Sequence, residues 1–294
     1  MPPTLPRRDG TALRRHLHAG VRHARARLLD GGGDPPFGPD ARPEPAHFQA
    51  ALCRNCGQAR HMSHCGHCGQ KAATRFSLKD VFNEFWQSRR LFELAWLRSA
   101  LRLARAPGLV AREYVLGARK RHVHPLKLLL VAVAALVVLL GRTGYLTAGQ
   151  TELSGQMQVV ADWARWSFSL GLLAVLGASW AVLRHRGGYN PVEHLVLAVY
   201  VQFVVIAANA VNLLPLLALD PARWAAPWRQ ASSWYMTPLE LVVVAVAARQ
   251  FFGLDWRGDA PRIVAVLAAF FLLKKALLLG YARLVYHVAL THPA

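Results

Sequence analysis

The four cysteines of the chain, Cys53, Cys56, Cys65 and Cys68, form two copies of C-x-x-C-G, with eight residues between Cys56 and Cys65. In such a knuckle a tight turn aims both thiolates at one metal. The glycine that follows permits the positive φ that points backbone amides back at the sulfurs. Two knuckles supply a closed set of four thiolates, the donor set of a structural Zn2+ site; iron or a dithiol redox role is the alternative for the same spacing. A closed set leaves no position for a bound water, so catalysis at the metal is not expected. His61, His64 and His67 lie nearby and read as bystanders to an intact cysteine quartet. The chain contains no G-x-S-x-G, Walker loop, G-x-G-x-x-G or H-E-x-x-H, and no catalytic residue is assigned.

A second group of polar residues lies within apolar runs. Gln202, Asn209 and Asn212 are seven and three residues apart, which places them on one helix face, as interhelical hydrogen-bonding groups or the lining of a solute path. Glu240, Lys274 and Lys275 interrupt two further apolar segments. An unpaired charge at that depth costs about 2.5 to 3.5 kcal/mol on insertion scales, so Glu240 is expected to pair with one of the lysines unless the lysines snorkel and Glu240 is protonated. Glu193 and His194 are adjacent, hence about 100° apart around a helix, and read as surface groups rather than an acid/base pair.

The elements that must position these residues follow from composition. Hydrophobic residues make up 54% of the 294 and charged residues 17%, which points to a membrane protein. Most of the formal +19 charge lies before Leu128. Residues 1 to 50 are rich in Arg, Pro and Gly and read as a flexible basic tail. Clustered cysteine pairs and the missing secretory core put the N-terminus in a reducing compartment. Residues 51 to 72 form the zinc ribbon, and 77 to 124 form amphipathic, basic juxtamembrane helices. The S-x-x-D of "SLKD" caps the first of these and "APG" at 106 to 108 ends a helix. Arg119, Lys120, Arg121 and Lys127 then meet the first long apolar run, as at a membrane entry facing anionic lipid headgroups.

Residues 125 to 291 read as a transmembrane helix bundle, so the fold is mainly α. Uncharged or nearly uncharged stretches at 128–141, 166–183, 194–219, 231–248 and 263–282 give five spans, or four if one is re-entrant. The basic cluster before Leu128 holds the N-terminus in the cytoplasm. Five spans also place the loops carrying Arg184 and Arg186, and Arg249, Arg257 and Arg262, on that side.

The order of motifs resembles a bacterial family of multi-pass membrane proteins classed only as a domain of unknown function, with an N-terminal CxxCG/CxxCGQ ribbon. The resemblance rests on "CGQ" at 68–70, Pro107-Gly108, "YVLGARKR" at 114–121, Pro125 and "YNPVEHLVLAVY" at 189–200, and covers roughly residues 51 to 290. It implies a zinc ribbon joined to helices in a bacterial inner membrane, and no known activity. The expected function is a non-enzymatic membrane protein whose ribbon binds a cytoplasmic protein partner or organises its own membrane domain. A transporter or channel with polar intramembrane groups is the first alternative, and a membrane-tethered nucleic-acid binder the second. The second is disfavoured because the ribbon carries no base-stacking aromatic pattern.

Overall fold

A computed structural model of the chain describes residues 35–38, 40–87, 95–146 and 169–291. After a short helix α1 (Pro45–Gln49) and the cysteine segment come α2 (Leu78–Gln87), α3 (Ala95–Arg105) and α4 (Pro107–Val115). A 3-10 turn at Arg119–Arg121 leads into α5 (Pro125–Thr143), followed by α6 (Leu170–Leu183), α7 (Pro191–Leu213), α8 (Pro221–Phe252) and α9 (Ala260–Thr291).

Local sequence accounts for most of the boundaries. Ser77 Oγ accepts from the Asp80 amide at 3.3 Å while Asp80 accepts from the Ser77 amide at 3.1 Å, the reciprocal cap that starts α2. Pro107, Pro125 and Pro191 each occupy the first turn of a helix, where the missing N–H costs nothing. Pro215 ends α7 in a 3-10 turn.

Among the described residues, four helical segments are long and apolar enough to cross a membrane: Arg119–Thr143, Pro191–Leu217, Arg223–Phe252 and Ala260–Val288. The expected span at 166–183 is represented by α6, described over 14 residues or about 21 Å; residues 147–168 before it, which include the first three of that span, lie outside the described part. Direction nevertheless alternates through all five. The starts of α5 and α7 both lie at the ribbon end, since His124 Nε2 donates to Val81 O at 3.1 Å and Asn190 Nδ2 donates to Phe76 O at 2.9 Å. So α6 must return the chain to the end from which α5 left. The end of α8 and the start of α9 lie there too, through Gln250 against Gly108 and Arg186 against Asp259.

The core is built on α7, buried along most of its first sixteen residues and packed by α4, α5, α6 and α8, while α9 packs chiefly on α6. Among these, α4 is the short element: eight of its nine residues are buried beneath the ribbon. Gly108 allows this, because a Cβ there would lie 2.0 Å from the Ala247 carbonyl oxygen of α8. Gln250 Oε1 accepts from the Gly108 and Leu109 amides at 3.1 and 3.3 Å and caps the helix from outside its own sequence.

Glu193 and His194 are both fully buried, which overturns the surface reading. Asn190 and Glu193 form a capping box, the side chain of each accepting the other's backbone N–H. Glu193 also faces Arg75 at 3.4 Å. His194 sits between the rings of Trp180 and Phe252, with Nδ1 hydrogen-bonded to Ser179 Oγ at 3.0 Å. Asn190→Ala is expected to cost about 1 kcal/mol, seen as a lower melting temperature in detergent with metal content unchanged.

Candidate metal centre

Each knuckle is a closed turn, and the two are the same structure displaced by twelve residues. Cys53 N donates to Gln58 O at 2.8 Å and Gly57 N to Cys53 O at 2.9 Å; Cys65 N donates to Gln70 O at 2.9 Å and Gly69 N to Cys65 O at 2.7 Å. Isolated bridges pair Leu52 with Ala59 and His64 with Lys71 at the two rims. Gly57 and Gly69 take φ of 79° and 64°, the left-handed geometry that their position after each second cysteine requires.

The turns bring the four sulfurs to one point, all within 4.8 Å of one another. Two cross-knuckle pairs, Cys53–Cys68 and Cys56–Cys65, stand 3.6 Å apart. Tetrahedral thiolates about 2.3 Å from a zinc ion would be about 3.8 Å apart, and a disulfide would need about 2.05 Å. The donor set and its spacing therefore fit a tetrahedral metal ion. The amides of Cys68 and His67 hold the Cys65 thiol down at about 6, while burial pushes Cys56 up to about 12. A thiol must lose its proton to bind a metal, so capture of an ion by this quartet releases protons. His61, His64 and His67 are exposed and stand outside the quartet.

The ribbon is seated on the elbow between α4 and α5. The buried Gln70 donates through Nε2 to Gly117 O at 2.6 Å and accepts through Oε1 from Lys120 N at 3.1 Å. Lys120 Nζ donates to Cys68 O at 2.8 Å and Arg121 Nε to Asn55 O at 2.9 Å, so the elbow holds both knuckles. Gly117, at φ 107°, lets this surface close: a Cβ there would lie 2.7 Å from Ala73 Cβ and 3.0 Å from Arg54 Cβ. Residues 40–50, expected as part of the tail, also pack here. His47 Nε2 donates to Leu116 O at 2.9 Å, Arg54 Nε donates to His47 O at 2.6 Å, and Arg112 donates to Ala41 O at 2.9 Å.

Below the elbow lies a buried polar group: Glu113 accepts from Arg102 at 2.8 Å and from His122 Nε2 at 2.9 Å. Arg119 lies 3.9 Å over the Phe76 ring and forms an ion pair with Glu84, which also accepts from Tyr114 Oη at 3.0 Å. Lys127 is buried, 5.4 Å from the centre of the Phe85 ring. The basic cluster expected to face lipid headgroups therefore makes several of its contacts inside the protein.

The polar residues of the bundle do not all converge on one site: Gln202, Glu240 and Lys274 border one cavity, and Asn209, Asn212 and Lys275 lie outside it. Asn209 Nδ2 bonds back to Val205 O at 2.9 Å in its own helix. Asn212 reaches α8, donating to Ser232 Oγ at 3.0 Å and accepting from Tyr235, an interhelical bond of the expected kind. Gln202 is buried farther along α7, with its carboxamide against Gly171. Glu240 is ion-paired with Lys274, while Lys275 is exposed, 5.6 Å from the centre of the Phe271 ring. Sequence reasoning assigned no role to Gln70, Gly117 or Gln250; only "CGQ" and "YVLGARKR" flagged the first two, as motif letters.

Residues 96–137 match the family model described as "Protein of unknown function (DUF3667)". The matched stretch runs from α3 into α5 and contains the elbow, so the likeness covers the seat of the ribbon and not its cysteines. No curated protein and no solved structure matches the chain.

Proposed function

We propose that the chain is a non-enzymatic multi-pass protein of a bacterial inner membrane, with its N-terminus in the cytoplasm, and that its structural zinc ribbon organises the membrane domain. The observation that carries this reading is the double role of Gln70. Its backbone carbonyl closes the second knuckle on Cys65 while its side chain binds both sides of the turn that leads into α5. Zinc, when bound, supplies four strong bonds that fix the knuckles. Gln70, Lys120 and Arg121 carry that rigidity to the membrane helices. Lys120, Arg121 and Arg54 donate to backbone carbonyls around the ribbon, which favours a clamp over a phosphate-binding face for nucleic acid.

The test separates metal binding from clamping. Gln70→Ala is expected to keep one zinc per chain and to lose about 1 to 3 kcal/mol of stability in the membrane domain, because the buried Gly117 carbonyl and the half-buried Lys120 amide lose their partner. Retained zinc with unchanged melting of the helices would reject the clamp and favour the alternative role, docking of a cytoplasmic protein on the ribbon's exposed side at Leu52 and Met62.

A lipid contact is part of the same reading. Leu78, Phe82 and Trp86 are exposed at i, i+4, i+8 along α2, beside the entry of α5, and form an apolar face suited to the headgroup layer. Anionic lipid is the expected partner of the exposed basic groups nearby.

A further inference from the structure

A cavity of about 140 Å³ lies between α6, α7, α8 and α9 and is lined by Gln202, Glu240 and Lys274 together with Gly171, Val205 and Phe270. Counted along the helices, Gln202 lies eleven residues past Pro191, Glu240 twelve before Phe252, and Lys274 fourteen past Ala260. At 1.5 Å per residue these are roughly 16, 18 and 21 Å from the ribbon end. All three therefore sit near the middle of a hydrocarbon layer about 30 Å thick.

The chemistry of the lining selects its ligand. Glu240 and Lys274 form an ion pair across α8 and α9 that borders open space, and the Phe270 ring centre stands 5.9 Å from Lys274 Nζ. The pair is neutral as a unit. A lone cation entering the cavity meets Lys274 and a lone anion meets Glu240, and either brings uncompensated charge into a low-dielectric site. A zwitterion brings none: its carboxylate pairs with the ammonium, its ammonium pairs with the carboxylate, and one internal ion pair is exchanged for two. The Gln202 carboxamide, held beside Gly171 where a Cβ would lie 2.5 Å from its Oε1, gives the lining a neutral polar group at the same depth. Size narrows the class further, since a cavity of about 150 Å³ accommodates a benzene-sized molecule. Glycine and alanine fall within that limit.

We propose that this cavity is a binding site for a small zwitterion of the α-amino acid type, with the ligand carboxylate on Lys274 and its ammonium on Glu240. This goes beyond the zinc-clamp reading and stands independently of it. The experiment is equilibrium binding of radiolabelled glycine and alanine to the full-length protein in lipid nanodiscs, with methylamine and acetate as competitors. Saturable binding of one zwitterion per chain is expected, unaffected by either competitor at equal concentration. Glu240→Gln and Lys274→Met should each weaken it at least ten-fold. Val205→Phe, which occupies the cavity and keeps both charges, should abolish it, and this variant decides the matter if either charge variant fails to fold. Absence of saturable glycine or alanine binding by folded wild type, binding that survives Val205→Phe, or preference for methylamine or acetate would each overturn the proposal.

Discussion

Removing the metal from the full-length protein is expected to unfold residues 51–72 and to loosen the ribbon end of the bundle. Within that segment the buried residues are Cys53, Asn55, Cys65 and Gln70, so the apolar interior of the ribbon consists of its own ligands. Nothing else in it can offset the entropy of ordering some twenty residues. Structural zinc sites in small peptides bind with about 10 to 16 kcal/mol, and most of that free energy is folding free energy. Chelation, or Cys53→Ser with Cys56→Ser, should abolish amide-exchange protection at Gly57 and Gly69 and weaken it at Leu116 to Lys120, where the ribbon is seated. Zinc analysis of the untreated protein should give one ion per chain. A chelated protein whose knuckle amides stay protected would show that the turns stand without a metal.

Gly108→Ala should destabilise the protein by about 3 kcal/mol or more, at or beyond the upper end of ordinary overpacking. The atom that the new methyl group meets is a backbone carbonyl oxygen at 2.0 Å, with the Ala247 carbonyl carbon and Cα at 2.8 and 2.9 Å, so no side chain can swing aside. Relief requires α4 to lift from α8, which also pulls the Gly108 and Leu109 amides away from Gln250. The sign is diagnostic, since intrinsic helix propensity alone would favour alanine by about 1 kcal/mol. Melting in detergent together with membrane abundance measures it. A variant as stable as wild type would mean that α4 and α8 do not approach this closely.

What could be read from sequence divides along chain distance. The cysteine quartet, the Ser77–Asp80 cap and the helix break at Pro107 depend on residues within a turn or two of each other, and spacing reveals them. The partners of Arg119, Lys120 and Arg121 do not show that way. These three consecutive residues look like a charge run, yet they reach Glu84, Cys68 and Asn55, which lie 35 to 66 residues away. Gln202, Asn209 and Asn212 do share a helix face, but they sit at different depths and meet different neighbours, so a common face did not make a common site. The capping role of Glu193 was within reach of sequence, because Asn190-Pro-Val-Glu193 has the form of a capped helix start; its burial comes from the elements packed over it.

The external cap on α4 has a consequence for biogenesis. Gly108 and Gln250 are 142 residues apart, and at about 5 to 20 residues per second a ribosome needs roughly 7 to 28 s to make the second after the first. Throughout that interval the ribbon can already hold its ion, while α4 has neither Gln250 over its first amides nor the α8 backbone against Gly108. A nascent chain stalled before Ala247 would therefore hold a formed ribbon above a helix for which the cap on its first amides and its closest backbone neighbour are still to be made.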